Sequence, residues 1–181
     1  MYRHILIPTD GSELAEQAVT NGLSLAKSLG AKVTVIIVEE PNWPVVSEPK
    51  VRQSFVEHGA FSDFRRYTEE INEQIKNYAA RALNRVADAA KQAGVPCDTV
   101  QVRDVQPYQA IIATAADKGC DLIVMASHGR GGLSRWFLGS VAEDVVRRSI
   151  VPVMLVRAQK ASEPELAETY SVPASSNASV V

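Results

Sequence analysis

Residues 125–140 read MASHGRGGLSRWFLGS, and this stretch decides the fold. It overlaps the end of an apolar run from Asp121 to Ser127 and leads into a segment that predicts a helix from Ser140 to Ser149. A buried strand, a glycine-rich loop and a helix in this order are typical of parallel α/β sheets. The spacing of Ser140 and Glu143 is that of a capping box, so we expect the helix to begin there.

The segments on either side repeat the same alternation of strand and helix. Short β-branched or apolar runs predict strands, and apolar residues spaced by three and four predict helices. The predicted strands are Arg3–Thr9, Lys32–Val38, Cys97–Arg103, Asp121–Ser127 and Pro152–Arg157, and the further helices run from about Leu14 to Leu29, Ser62 to Ala93 and Pro107 to Lys118. This order predicts a three-layer α/β/α sandwich with a five-stranded parallel sheet, Rossmann-like in type.

The length of 181 residues fits one domain, which we expect to cover residues 1–157. Residues 39–62 lose the periodicity and contain three prolines, so we interpret them as an irregular insertion and a candidate lid over the site. Residues 158–181 are rich in Ala, Ser, Glu and Pro and are predicted to form a disordered tail.

Composition limits the classes of function. A net charge of −2 and the lack of a dense basic block disfavour a nucleic-acid partner. The chain enters a strand at once, without a signal peptide, and has no apolar run of about 20 residues, so we expect a cytoplasmic protein without a membrane partner. Cys97 and Cys120 lie next to apolar strands and are interpreted as small hydrophobic residues.

The glycine-rich loop predicts an anion site. Glycines permit a close backbone approach, and the free amides and dipole of a helix start favour negative charge. Ser140 could donate its hydroxyl, and Arg130 and Arg135 could add charge; in the alternative interpretation the loop is flexible and Ser140 only caps its helix. The pattern is neither a Walker A motif nor the dinucleotide fingerprint.

Three segments resemble the universal stress protein family. Ile5–Ser12 (ILIPTDGS) resembles the opening strand and turn of that family, and Val151–Val156 resembles its last strand. Gly129, nine residues, then Gly139 and Ser140 resemble its ATP-binding pattern G-x2-G-x9-G-[S/T]. Ala126 stands where the pattern has its first glycine. The resemblance covers about residues 2–157. The family also includes members that bind no nucleotide.

The resemblance implies an adenine nucleotide α-hydrolase-like fold that binds ATP, AMP or ADP, with Mg²⁺ as an accompanying ion. It also implies a stress-response regulator or sensor that forms a homodimer through the last strand, Pro152–Arg157. The implied nucleoside contacts are Pro8, Thr9, Asp10, Val38, Met125 and Ala126, and the implied phosphate contacts are Gly129, Arg130, Gly139, Ser140 and Val141. His128 and Gly132, in the same loop, are further candidate nucleotide contacts.

Several alternatives stay open. His128 could instead act as an acid or base, or pack at the strand end. Asp10 could cap its helix together with Glu13 as well as accept hydrogen bonds from a ribose. Ala126 favours a scaffold that binds proteins rather than nucleotide. A slow ATPase or autophosphorylating protein, with Ser127, Ser134 and Ser140 as acceptors, is a third function; however, no general base is paired with a nucleophile, so no catalytic residue is assigned.

Overall fold

The computed structural model describes residues 1–40, 61–127 and 138–157, together with Gln53. Strands and helices alternate through these residues in the predicted order. The strands are β1 (His4–Pro8), β2 (Lys32–Glu39), β3 (Cys97–Arg103), β4 (Leu122–Ala126) and β5 (Val153–Val156). The helices are α1 (Glu13–Leu29), α2 (Phe61–Ala93), α3 (Pro107–Lys118) and α4 (Ser140–Arg148). The predicted tail, and the predicted insertion apart from its ends and Gln53, lie outside the described residues.

The five strands form one parallel sheet with the order β3-β2-β1-β4-β5. β1, β2 and β3 therefore form one half of the sheet in chain order. β4 and β5 form the other half, with β4 next to β1. β1 and β4 are direct neighbours, with Ile5 opposite Leu122 and Leu6 opposite Ile123. The strand order reverses between them, and open α/β sheets bind ligands beyond the carboxyl ends of the strands at such a point.

Helices cover both faces of the sheet, which confirms the three-layer prediction. Helices α1 and α2 pack on one face, around a first core cluster that includes Ile7, Val35 and Leu83. Helices α3 and α4 pack on the other face, around a second core cluster that includes Ile36 and Ile123. Because β1, β2 and β4 are buried on both faces, they read as continuous apolar runs, whereas the edge strand β3 alternates.

The two cysteines are free, and neither forms a disulfide within the described residues. Burial raises the pKa of the Cys120 thiol to about 11, so the thiol stays protonated at neutral pH. Burial also raises the pKa of Cys97. Both results agree with the prediction that these residues are packing groups. No helix in the described part of the chain combines the length and the apolar character that crossing a bilayer requires.

Candidate functional site

The carboxyl ends of three strands meet where the strand order reverses. The amide of Thr9 donates to the carbonyl of Ile36 at 2.9 Å, which ties the residue after β1 to β2. The register pairs Pro8 with Ile36 of β2, and the last pair between β1 and β4 is Leu6 with Ile123. The carboxyl ends of β1 and β4 therefore lie at the same edge of the sheet, where the strand order reverses.

A tight turn fixes the start of the loop between β1 and α1, which consists of Thr9, Asp10, Gly11 and Ser12. Asp10 Oδ1 accepts a hydrogen bond from the Ser12 amide at 2.9 Å, and Thr9 Oγ1 accepts one from the Gly11 amide at 3.2 Å. This loop, here called the Asp10 loop, presents the half-buried Asp10 carboxylate at the end of β1. A carboxylate held in this way can accept hydrogen bonds from hydroxyl groups of a ligand.

Ser12, not Asp10, caps helix α1. Its Oγ accepts a hydrogen bond from the Ala15 amide at 3.3 Å, and its carbonyl accepts one from Glu16 at 2.9 Å. The proposed capping box of Asp10 and Glu13 is therefore wrong. The Asx turn of Asp10 with Ser12 draws the Asp10 side chain onto the turn and leaves the next hydroxyl to cap the helix.

Strand β4 and helix α4 are joined by a hydrogen bond at the base of the glycine-rich loop. The amide of Gly139 donates to the carbonyl of Ser127 at 2.9 Å. The Ser127 amide donates to the carbonyl of Val156 of β5 at the same distance. The start of α4 is thus held at the end of β4. Ser127 is only 4% exposed, which disfavours it as a phosphate acceptor.

The capping box predicted for Ser140 and Glu143 is wrong. The N-cap of α4 is Gly139, with φ −64° and ψ 145°, and Ser140 is the first helical residue. The reason is the bond from Gly139 to Ser127: it sets the chain so that the Gly139 carbonyl accepts the Glu143 amide at 2.8 Å. The N-cap residue is a glycine and has no side chain that could bond the first-turn amides, so these amides and the exposed Ser140 hydroxyl can serve an anion.

Apolar side chains, buried or partly buried, pack at this end of the sheet on the face that carries α3 and α4. Val38, Met125 and Val141 all belong to or pack against the second core cluster. Ala126 packs against the first core cluster, on the opposite face. A planar apolar group such as a heterocyclic base can be buried on this kind of surface, with polar partners at its rim.

The structure brings together most of the predicted site residues. Those at or next to the converging strand ends and the start of α4 are Pro8, Thr9, Asp10, Val38, Met125, Ala126, Gly139, Ser140 and Val141. Four others, His128, Gly129, Arg130 and Gly132, lie outside the described residues. No group of three His, Cys, Asp or Glu side chains within the described ranges could hold a metal ion.

One contact at the site has no signal in the local sequence. The hydroxyl of Tyr78, on α2, donates to the carbonyl of Gly11 at 3.0 Å across a separation of 67 residues. Tyr78 lies within the helix predicted from Ser62 to Ala93, among apolar residues spaced by three and four. Its hydroxyl instead reaches the Asp10 loop, and only the packing of α2 against the sheet determines this contact.

Comparisons with known proteins agree with the fold. The model of the universal stress protein family matches residues 1–157. Universal stress protein MJ0531 of Methanocaldococcus jannaschii is 34% identical over 160 residues, which cover 88% of this chain and 85% of that protein. The solved structure of hypothetical protein MJ0577 is 27% identical, covers 89% of this chain and 99% of that one, and superposes with a TM-score of 0.70.

A further solved structure, the universal stress protein of Archaeoglobus fulgidus in complex with dAMP, shares the fold with a TM-score of 0.57. It is 18% identical and covers 85% of this chain and 97% of its own. The match of the family model to residues 1–157, together with a relative above 30% identity, settles the classification. The chain belongs to the universal stress protein family.

Proposed function

We propose that the chain binds an adenine nucleotide, ATP, ADP or AMP, across the ends of β1 and β4, and that it acts as a regulator or sensor in a stress response. The observation that carries the proposal is the start of α4, which has a glycine as its N-cap and is held at the end of β4, the strand next to β1. The dAMP complex of the Archaeoglobus relative supports an adenine nucleotide as the ligand.

Each part of the site would take one part of the nucleotide. The apolar surface of Val38, Met125 and Val141 would bury the adenine ring. The Asp10 carboxylate would accept hydrogen bonds from ribose hydroxyls, and Ser140 with the first-turn amides of α4 would bind phosphate oxygens. Mg²⁺ would bind as the complex with the phosphates of ATP, because the described residues offer it no cluster of acidic side chains.

The geometry of Ala126 supports binding despite the missing glycine. Side chains alternate between the two faces of a strand, and Met125 packs on the face that carries α3 and α4. The Ala126 methyl therefore packs on the face that carries α1 and α2. A methyl group on that face is directed away from the apolar surface proposed for adenine.

We predict that ATP binding tolerates Ala126. Wild type and Ala126→Gly should bind ATP with the same affinity within about threefold, since the methyl lies on the other face. Ser140→Ala should weaken binding by roughly two- to tenfold, the effect of one lost hydrogen bond. Isothermal titration calorimetry at millimolar ATP measures all three constants, and thermal shift provides an independent check.

Two results of this titration would contradict the proposal. Binding by Ala126→Gly but not by wild type would mean that the methyl blocks the site. Saturable binding by neither protein would favour the second candidate function, a scaffold that keeps the fold and acts through protein partners.

We also propose that the protein forms a dimer through β5, the edge strand of the sheet. The carbonyls of Pro152 and Val156 accept hydrogen bonds from β4. Successive residues of a strand alternate in direction, so Val153 and Leu155 direct their amides and carbonyls to the outer edge. Met154, next to this edge, is 41% exposed. An exposed apolar edge strand invites pairing with a second copy.

We predict that Leu155→Pro disrupts the dimer. Proline removes an outward amide from β5 and leaves its bonds to β4 intact. Leu155→Ala is the matched control, because it removes the same packing from the second core cluster but keeps the amide. Sedimentation velocity should give a dimer for wild type and for Leu155→Ala, and a monomer for Leu155→Pro. A Leu155→Pro protein that stays dimeric would refute pairing through this edge.

A further inference from the structure

Helix α2 contacts the Asp10 loop at Gly11. The Tyr78 hydroxyl donates to the Gly11 carbonyl at 3.0 Å. Gly11 has φ +73°, and a Cβ added there would lie 2.8 Å from Tyr78 Oη and 3.2 Å from the Ala82 Cβ. The loop is therefore bound by a hydrogen bond and also packed directly against the helix.

The Gly11 carbonyl lies outside helix α1, whose hydrogen bonds begin with the Ser12 carbonyl. The amides on both sides of this carbonyl, those of Gly11 and Ser12, donate to Thr9 Oγ1 and Asp10 Oδ1. Tyr78 thus binds the same peptide unit whose amide holds the Asp10 carboxylate. A shift of this unit would move Asp10 with it.

The segment of α2 that follows Tyr78 is a rigid support. Ala79, Ala82 and Leu83 are buried in the first core cluster and fix this part of the helix against the sheet. The residues of α2 from 65 to 78 are half-buried or exposed. Tyr78 therefore stands where the helix leaves the core and reaches the carboxyl ends of the strands.

We propose that Tyr78 is a positioning residue of the nucleotide site. Its hydroxyl holds the Gly11 carbonyl so that the Asp10 carboxylate is presented to the ribose hydroxyls. This inference rests on the proposed function, because it assigns Tyr78 a part in the ribose recognition proposed for Asp10. Tyr78 itself need not contact the nucleotide.

The test compares Tyr78→Phe with wild type for two ligands, ATP and 2′,3′-dideoxy-ATP. Removing the hydroxyl should weaken ATP binding by roughly two- to tenfold and leave the affinity for dideoxy-ATP nearly unchanged. The preference for ATP over the dideoxy analogue should fall accordingly. A general loosening of the fold would weaken both ligands alike, so the ratio separates positioning from stability.

Tyr67→Phe is the matched control. Tyr67 lies on the same helix with a similar exposure, 41% against 38% for Tyr78. Tyr67 lies about 16 Å from Tyr78 along the helix axis. Removing the Tyr67 hydroxyl should therefore change the affinity for neither ATP nor dideoxy-ATP. Dissociation constants from calorimetry, with melting temperatures for each variant, complete the comparison.

A double-mutant cycle with Asp10→Asn tests the route of the effect. An asparagine oxygen can still accept the Ser12 amide, so the turn is kept while the carboxylate is lost. In the Asp10→Asn background, Tyr78→Phe should cause no further loss of ATP affinity, because the two residues act through one contact. Additive losses would overturn the inference.

The outcomes distinguish this inference from the proposed function. A wild-type protein that binds no nucleotide overturns both. A wild-type protein that binds ATP, with the ATP to dideoxy-ATP ratio unchanged in Tyr78→Phe, overturns the role of Tyr78 alone. A reduced ratio in Tyr78→Phe, with Tyr67→Phe equal to wild type, is the result we expect.

Discussion

Replacing Gly11 by alanine is expected to lower the free energy of unfolding by about 2–4 kcal/mol, from backbone strain and overpacking together. Gly11 has φ +73°, a conformation that a residue with a Cβ adopts at a cost, and the new methyl would lie 2.8 Å from Tyr78 Oη. The ring must move, which breaks the bond that holds the Asp10 loop. Urea unfolding measures the loss of stability, and ATP affinity should fall with it.

Gly30 offers the matched control. It has φ +65° at the end of α1, and an added Cβ would meet no atom within 4 Å. Gly30→Ala should therefore lower the free energy of unfolding only by the cost of backbone strain, about 1–2 kcal/mol. It should leave ATP affinity unchanged. If the two variants lose the same stability and bind ATP equally well, the packing of α2 against the Asp10 loop has no energetic role.

Ile123→Ala is expected to lower the free energy of unfolding by about 2–5 kcal/mol, because it opens a cavity in the core. Ile123 is fully buried in the centre of β4, between Leu6 of β1 and Val153 of β5. Its loss removes packing from the second core cluster, which also includes Met125 and against which Val38 and Val141 pack.

Ile150 provides the same substitution at the surface. It is 93% exposed, so Ile150→Ala should change the free energy of unfolding by less than about 0.5 kcal/mol. Chemical denaturation of both variants gives the comparison. Equal losses would mean that β4 is not the centre of the core.

The sequence predicted the strands well, because burial on both faces leaves a strong local pattern. Strand β3 has the predicted bounds, Cys97–Arg103, and β4 differs from its prediction by one residue at each end. Continuous apolar runs such as that of β4 have no other place in an α/β fold than the middle of a parallel sheet. The same runs located the two strand ends that form the site.

The helix starts were predicted to within one residue, but the residues that cap them were not, since the caps depend on hydrogen bonds that the local pattern does not reveal. The spacing of Ser140 and Glu143 fits a capping box, but the bond from Gly139 to the Ser127 carbonyl moves the cap by one residue. Tyr78 shows the same effect over a longer distance. Its contact with Gly11 depends on how α2 packs, and no local pattern encodes that packing.

The central claim is that an adenine nucleotide binds between the Asp10 loop and the start of α4. A crystal structure of the protein grown with millimolar ATP tests it most directly. We predict density for one nucleotide per chain, with the ribose at the Asp10 carboxylate, the adenine against Val38 and Met125, and a phosphate at the Ser140 amide. Crystals without nucleotide at this position, grown from ATP-saturated solution and with the site open to solvent, would contradict the claim.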